Sequence, residues 1–527
     1  MGRLRRRAAR LAALALALAA AGCSDAAAPP TAEPGAPVAS ERPAVGGGAS
    51  DAGAGPASPP VDAPAEPAPE LEPEPELAEP EPMPERTTYE IDATFDPASR
   101  RLTGTTVALA RNDAAVATSE ARWTAYLNAF SAEAIRARDP VLPEHRKRAY
   151  AVAAPDALDG RLAAVHASVD GVPAAAERRG QTIVVALPEP WAPGEWRRIE
   201  LAWEATLPAV HHRFGAADDA YWFGNALPIL AAFDGEWRDY AYEPVGDPFF
   251  STVADFRVRL TAPREYDVVA TGDETPALSS AADGWATTTV DAPFARDFAF
   301  ALGAGFRVAE ASTARGARVG VYFRQASEAR AAAAAEAAAG IADLLEGWVG
   351  AYPYGEMDIF ENEMFVTGME YPGLAFVRAD RLNDPDGVET VAHEVAHQWF
   401  YNVIGNDQVR EPWLDEGFAT YATDVYLLGD RLDAVYAERL RTLRKGAAIG
   451  DVRTYDSWSA YWNGNYRKGA LLLHALRGEL GEEGFDRFLK AYYEEFRFGV
   501  VTTDSFVATA ERVRGEPMDA FFDRWLP

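Results

Sequence analysis

Two runs of the chain carry residue types that could do chemistry together, Val391-Ala-His393-Glu394-Val-Ala-His397 and Trp413-Leu-Asp415-Glu416-Gly417. Residues four apart share one face of an α-helix, so His393 and His397 can aim their imidazoles at a single point. Two imidazoles and a carboxylate from a following helix are a usual ligand set for one catalytic zinc ion, with the fourth position left to water. Glu416 fits as the third ligand: eighteen residues separate it from His397, its own segment is helical in character, and Gly405-Asn406-Asp407 supplies a turn between the two. Glu394 sits beside the first histidine, turned partly off the ligand face, where a carboxylate reaches the water instead of the ion; it reads as a general base. A five-residue HExxH run also arises by chance on ordinary amphipathic helices, and Glu416 is what separates the zinc reading from that one.

With its spacing to Glu416, the run His393-Glu394-Val-Ala-His397 resembles the gluzincin aminopeptidases of the aminopeptidase N and leukotriene hydrolase type. Three further stretches are similar to that family: Gly368-Met369-Glu370 to its Gly-x-Met-Glu-Asn substrate strand, Tyr466-Arg-Lys468-Gly469 to its Tyr-x-Lys-Gly segment, and Ala351-Tyr-Pro353-Tyr-Gly355 to its entry into the catalytic domain. The resemblance covers residues 87–527 and is strongest after 350. It implies an α+β chain, with an N-terminal β-sandwich or saddle-like β domain followed by a thermolysin-like, mainly helical zinc-peptidase domain. Roles are implied as well. Tyr466 becomes the hydroxyl that donates to the oxyanion, Glu370 the anion that holds a substrate's free α-amine, and Gly368 and Met369 parts of the substrate-binding strand. Thr367 and Tyr371 stand where the family has glycine and asparagine, which bears on the first side-chain pocket. No second amine-gripping residue is identified in the β-rich part. The chain stops at Trp525-Leu-Pro527, where the family's catalytic domain ends, so the long helical C-terminal domain of larger members is expected to be absent.

The activity so implied is that of an exported zinc aminopeptidase, removing N-terminal residues from peptide substrates. A metallo-endopeptidase or an epoxide hydrolase can use the same zinc site. A catalytically silent peptide-binding protein is the non-enzymatic alternative, and it should have lost a base, a ligand or the tyrosine; none is lost here.

The elements that must hold these residues follow from periodicity. Between 87 and 320, short alternating stretches such as Thr88–Phe95, Thr182–Leu187, Phe256–Leu260 and Asp267–Thr271 predict a β-rich domain. Within it, the aromatic and turn residues of Asp219–Trp237 and Glu243–Asp247 resemble segments the family places near the cleft, or else fill the core between sheets. Helical periodicity from 321 to 527 predicts helices over Ala326–Val349, Gly387–Val403, Trp413–Leu428, Leu432–Ala448, Arg467–Leu480, Gly484–Phe496 and Thr503–Arg514. Met357–Val377, broken by Gly368, Pro372 and Gly373, reads as strand and loop.

At 527 residues the chain is long enough for two or three domains, and its net charge of −30 excludes a nucleic-acid partner, which needs a basic surface. Nothing calls for an obligate protein partner. The N-terminus has an arginine-rich start (Arg3, Arg5, Arg6, Arg7, Arg10), an apolar run from Leu11 to Ala21 too short to span a membrane, and then Ala20-Ala21-Gly22-Cys23 around the chain's one cysteine. This resembles a bacterial lipoprotein signal over 1–23, predicting export and membrane attachment through an acylated Cys23; without acylation the product is secreted. The Pro-, Ala- and Glu-rich stretch 24–86 cannot bury enough apolar surface to offset chain entropy and reads as a disordered tether.

Overall fold

Alternation of apolar and polar residues drives the first half of the chain into sheets. In the strand Thr88–Asp96, Tyr89, Ile91, Ala93 and Phe95 are buried while the residues between them face outward. The computed structural model describes residues 85–138, 159–243, 245–276 and 284–526. The signal and lipoprotein expectations at 1–23, and all but the last two residues of the tether at 24–86, lie outside these residues. An eight-stranded sheet has Thr88–Asp96 at its centre, antiparallel to Arg101–Arg111 and parallel to Ala254–Pro263. A three-stranded and a four-stranded sheet complete the β-rich half.

A five-stranded sheet follows in the order Arg307–Ser312, Arg318–Phe323, Glu356–Asn362, Leu374–Arg378, Gly368–Tyr371. Its first two strands begin ahead of residue 320. One face, with Val319, Val321, Ile359, Ala375 and Val377, packs on the helices. The other, with Phe360, Met369, Tyr371, Leu374 and Phe376, joins the core of the β-rich half. The sheet is therefore a middle layer shared by both halves, and the chain is α+β. The helix Glu328–Trp348 lies across it on Ala331, Ala334, Ala335, Ala338 and Ala342, small side chains that admit close backbone approach.

The helices Trp413–Leu428 and Thr503–Arg514 keep the bounds their periodicity predicts, Glu328–Trp348 and Glu482–Phe496 shift by one or two residues, and three others differ by more. The histidine helix spans Gly387–Ala396 and stops seven residues before Val403, because the Phe400 carbonyl turns back to accept from His397 Nδ1 and Tyr401 takes a left-handed φ of 118°. Leu432–Arg441 ends at Thr442, well short of Ala448, ahead of a turn at Gly446 with φ 80°. The segment expected to start at Arg467 begins earlier as the short helix Trp458–Tyr461, passes through a π-helical stretch, Trp462–Lys468, and continues as Gly469–Leu480.

The two halves also meet through buried charge. Glu274, on the strand Asp273–Pro276, lies with Glu356 and Asp358 of the middle sheet in a cluster whose carboxylate oxygens fall within 4.8 Å, and Arg318 bonds to the latter two at 2.8 and 2.9 Å. Burial, with Glu356 and Asp358 adding to it, pushes Glu274 up to about 9. The folded state thus holds a proton that the unfolded chain releases above its ordinary value of 4.5, so this group's stabilisation is complete below 4.5 and is lost as pH rises towards about 9. Glu274→Gln is expected to raise the melting temperature by roughly 2–4 °C at pH 8 and hardly at all at pH 4.5. Equal shifts at both pH values in a thermal melt would remove the linkage.

Candidate metal and substrate site

The histidine helix and the helix Trp413–Leu428 bring three ligand atoms to one point. His393 Nε2 lies 3.1 Å from His397 Nε2 and 3.2 Å from Glu416 Oε2, and the third side of the triangle, His397 Nε2 to Glu416 Oε2, is 3.4 Å. Tetrahedral zinc with bonds of about 2.0–2.1 Å needs ligand atoms about 3.3 Å apart, so the triangle fits one zinc ion. The tautomer fits too. His397 Nδ1 donates to the Phe400 carbonyl at 3.0 Å, which leaves Nε2 with its lone pair facing the point of convergence.

Charge around that point is heavily negative. Burial alone would raise Glu416, but hydrogen bonds to His393 and His397 outweigh it and hold the carboxylate at about 2. Burial opposes a charged His397 ring, yet Glu370, Glu416 and Glu394 together push it well above the ordinary imidazole range. Burial first, and then Glu370, pushes Glu394 well up. Burial and Glu416 do the same to the Tyr466 phenol, keeping it protonated as a donor. Such a pocket favours a cation.

Glu394 stands next to the edge strand, and Gly368 is what makes room for it. A Cβ at 368 would fall 2.0 Å from Glu394 Oε1. Side chains on Gly368–Tyr371 alternate, so Gly368 and Glu370 face the histidine helix while Met369 and Tyr371 face the β-rich half. Glu370 Oε1 accepts from Gln408 Nε2 at 2.8 Å, and the same amide reaches Asp415 Oδ2 at 2.8 Å. Oxygens of Glu370 and Asp415 and a ring nitrogen of His397 lie within 4.8 Å of one another. Met369 presents no side chain to the ligand point; its sulfur accepts from Arg213 Nε at 3.1 Å. Tyr371, in the family's asparagine position, is buried with its hydroxyl donating to Asn225 Oδ1 at 2.8 Å, in space that any residue larger than Gly224 would fill.

Tyr466 stacks on His393 with ring centroids 5.5 Å apart. The π-helical stretch puts it there, since Gly464 fits under the Ala448 carbonyl, which a Cβ would approach to 2.0 Å. Gly469 packs directly on Gly417, where a Cβ would lie 3.0 Å from the Gly417 Cα, and this contact sets the tyrosine's helix against Glu416's.

Four residues near the site are given no role of their own by the sequence: Gln408, Asp415, Arg213 and Asp247. Arg213 is buried, bonds the Gly246 carbonyl at 2.7 Å and pairs with the Asp247 carboxylate. Burial raises Asp247 to about 7 against the pull of Arg213, and Glu370 and Glu416 add to the rise, which puts it within electrostatic reach of the site. Of the stretch Glu243–Asp247, it is Asp247 that the Arg213 pair ties towards the acidic groups of the site. Asp247 could have been found there, as could Asp415 inside Trp-Leu-Asp-Glu-Gly.

Fold and site together define a mixed α+β protein with a two-histidine, one-glutamate metal triangle beside a sheet edge. Residues 336–525 match the Peptidase family M1 domain. Aminopeptidase M1-A of Oryza sativa subsp. japonica is 30% identical over 246 residues, covering 42% of this chain and 28% of the relative. Human Aminopeptidase B is 31% identical over 209 residues, covering 34% of this chain and 32% of its own length. The chain thus spans about a third or less of these relatives. Among solved structures, the M1 zinc metallopeptidase from Deinococcus radiodurans superposes with a TM-score of 0.61 at 20% identity, over 83% of this chain and 92% of that one. A mutant of that enzyme bound to a Tyr-ser-ala substrate gives 0.58 at 19% identity, over 84% and 94%.

Proposed function

We propose that the chain is a zinc-dependent aminopeptidase. When bound by His393, His397 and Glu416, zinc supplies Lewis-acid polarisation of a peptide carbonyl and a more acidic water. Glu394, buried and raised above the ordinary carboxylate range, takes the water's proton and hands it to the leaving amine. Tyr466, protonated and stacked on His393, donates to the oxyanion. Glu370, held by Gln408, receives the substrate's ammonium and sets how far the chain enters before the scissile bond. The observation that carries the exopeptidase reading is that Glu370 lies beside His397, on the same strand face as the glycine that seats the base. An endopeptidase has no use for a fixed carboxylate at that distance.

Export and attachment through an acylated Cys23 belong to the same reading and rest on the signal-like N-terminus; Cys23→Ser protein that is processed and retained in the membrane fraction like the native chain would remove the anchor. The activity is tested with free and N-acetylated aminoacyl fluorogenic substrates, with and without chelator. Acetylation removes the ammonium and leaves Glu370 buried without a partner, so blocked substrates are expected to be cleaved at least about 100-fold more slowly. Glu370→Ala should slow the free-amine substrates and narrow that gap. Equal cleavage of blocked and free substrates by the native chain would point to an endopeptidase, and hydrolysis of an epoxide alone to the third reading.

A further inference from the structure

Trp462 is 48% exposed, the single tryptophan among the exposed large apolar residues described. It lies four residues before Tyr466 and four after Trp458, so the three share a stripe along the helical and π-helical run. Both ends of that stripe are fixed at the cleft. The Tyr466 ring stacks on His393, and the Trp458 ring meets Phe365 at 6.2 Å. Buried Tyr461 meets the Trp458 and Tyr466 rings, each at 5.7 Å, and its neighbour Trp462, four residues from each, has no ring packed on it among the described residues. Phe365 precedes Gly368 on the side away from Glu370. A peptide with its amine at Glu370 and its scissile carbonyl beside Glu394, next to Gly368, therefore runs its following residues towards Phe365 and this stripe.

We infer that Trp462 is a specificity-determining residue, an indole platform for an aromatic side chain at the second position of the peptide, immediately after the scissile bond. The inference rests on the aminopeptidase reading above. A flat, apolar surface in an otherwise acidic cleft binds an aromatic ring by stacking and gives a glycine nothing to stack on.

The test uses full-length, zinc-loaded protein carrying Glu394→Gln, and calorimetric binding of the free-amine tripeptides Ala-Phe-Ala and Ala-Gly-Ala. The phenylalanine peptide is expected to bind about tenfold more tightly. Adding Trp462→Ala should reduce that ratio to twofold or less, and Trp462→Phe should retain it, with thermal melts verifying that both variants fold. In the turnover-competent chain the same substitution should lower kcat/KM for the aromatic peptide chiefly through KM. Binding of both peptides without a preference, or a preference that survives Trp462→Ala, overturns the platform alone. Failure to bind either peptide overturns the aminopeptidase reading and the platform with it.

Discussion

Glu394→Gln protein is expected to bind zinc at the same stoichiometry as the native chain and to hydrolyse peptides about 10³–10⁴-fold more slowly, towards the upper range for loss of a general base. Glutamine keeps the shape that Gly368 accommodates but cannot accept a proton. The native carboxylate is outside the metal triangle, 5% exposed, and raised by burial and by Glu370, the condition of a group poised to take up a proton and release it. Metal analysis and single-substrate kinetics on one preparation separate its role from that of a ligand. Turnover within tenfold of native would remove Glu394 as the base, and loss of the metal would make it part of the ligand set.

Glu416→Ala should do the reverse: zinc falls well below one per chain, turnover becomes undetectable, and the melting temperature stops responding to chelator. Glu416 is 2% exposed and supplies two of the triangle's three sides. With Glu370, Glu394, Asp415 and Asp247 close by, it belongs to a buried cluster of acidic groups that raise one another's proton affinity, with the Arg213 guanidinium paired to Asp247. A dication that binds the folded chain alone stabilises it by mass action, so chelation of the native protein should lower its melting temperature by several degrees. One zinc per chain in Glu416→Ala would place the metal elsewhere.

What was legible in the sequence is what local periodicity encodes. The four-residue spacing of His393 and His397 and the apolar face of Trp413–Leu428 are properties of single helices, and the structure brings Glu416 to both histidines. The early end of the histidine helix was not legible, because a carbonyl three residues past His397 is diverted to its ring. Nor was the π-helical register that seats Tyr466, which depends on Gly464 meeting Ala448. Arg213 lies 156 residues from Met369, and no spacing rule links them. Tyr371, in the family's asparagine position, sends its phenol into the β-rich half, with Gly224 as its complement, a pairing 147 positions apart that no local pattern shows.

That docking decides how the chain can be divided. The strand bearing Glu370 is fastened to the β-rich half through Met369 and Tyr371 and to the helical half through Gln398, Asn402 and Gln408. A fragment beginning where the family match begins, at residue 336, would lack two strands of the middle sheet and present Phe360, Met364, Met369, Tyr371 and Phe376 to water. Apolar surface on that scale invites aggregation rather than independent folding. The segment that carries the chemistry is therefore not a transplantable unit.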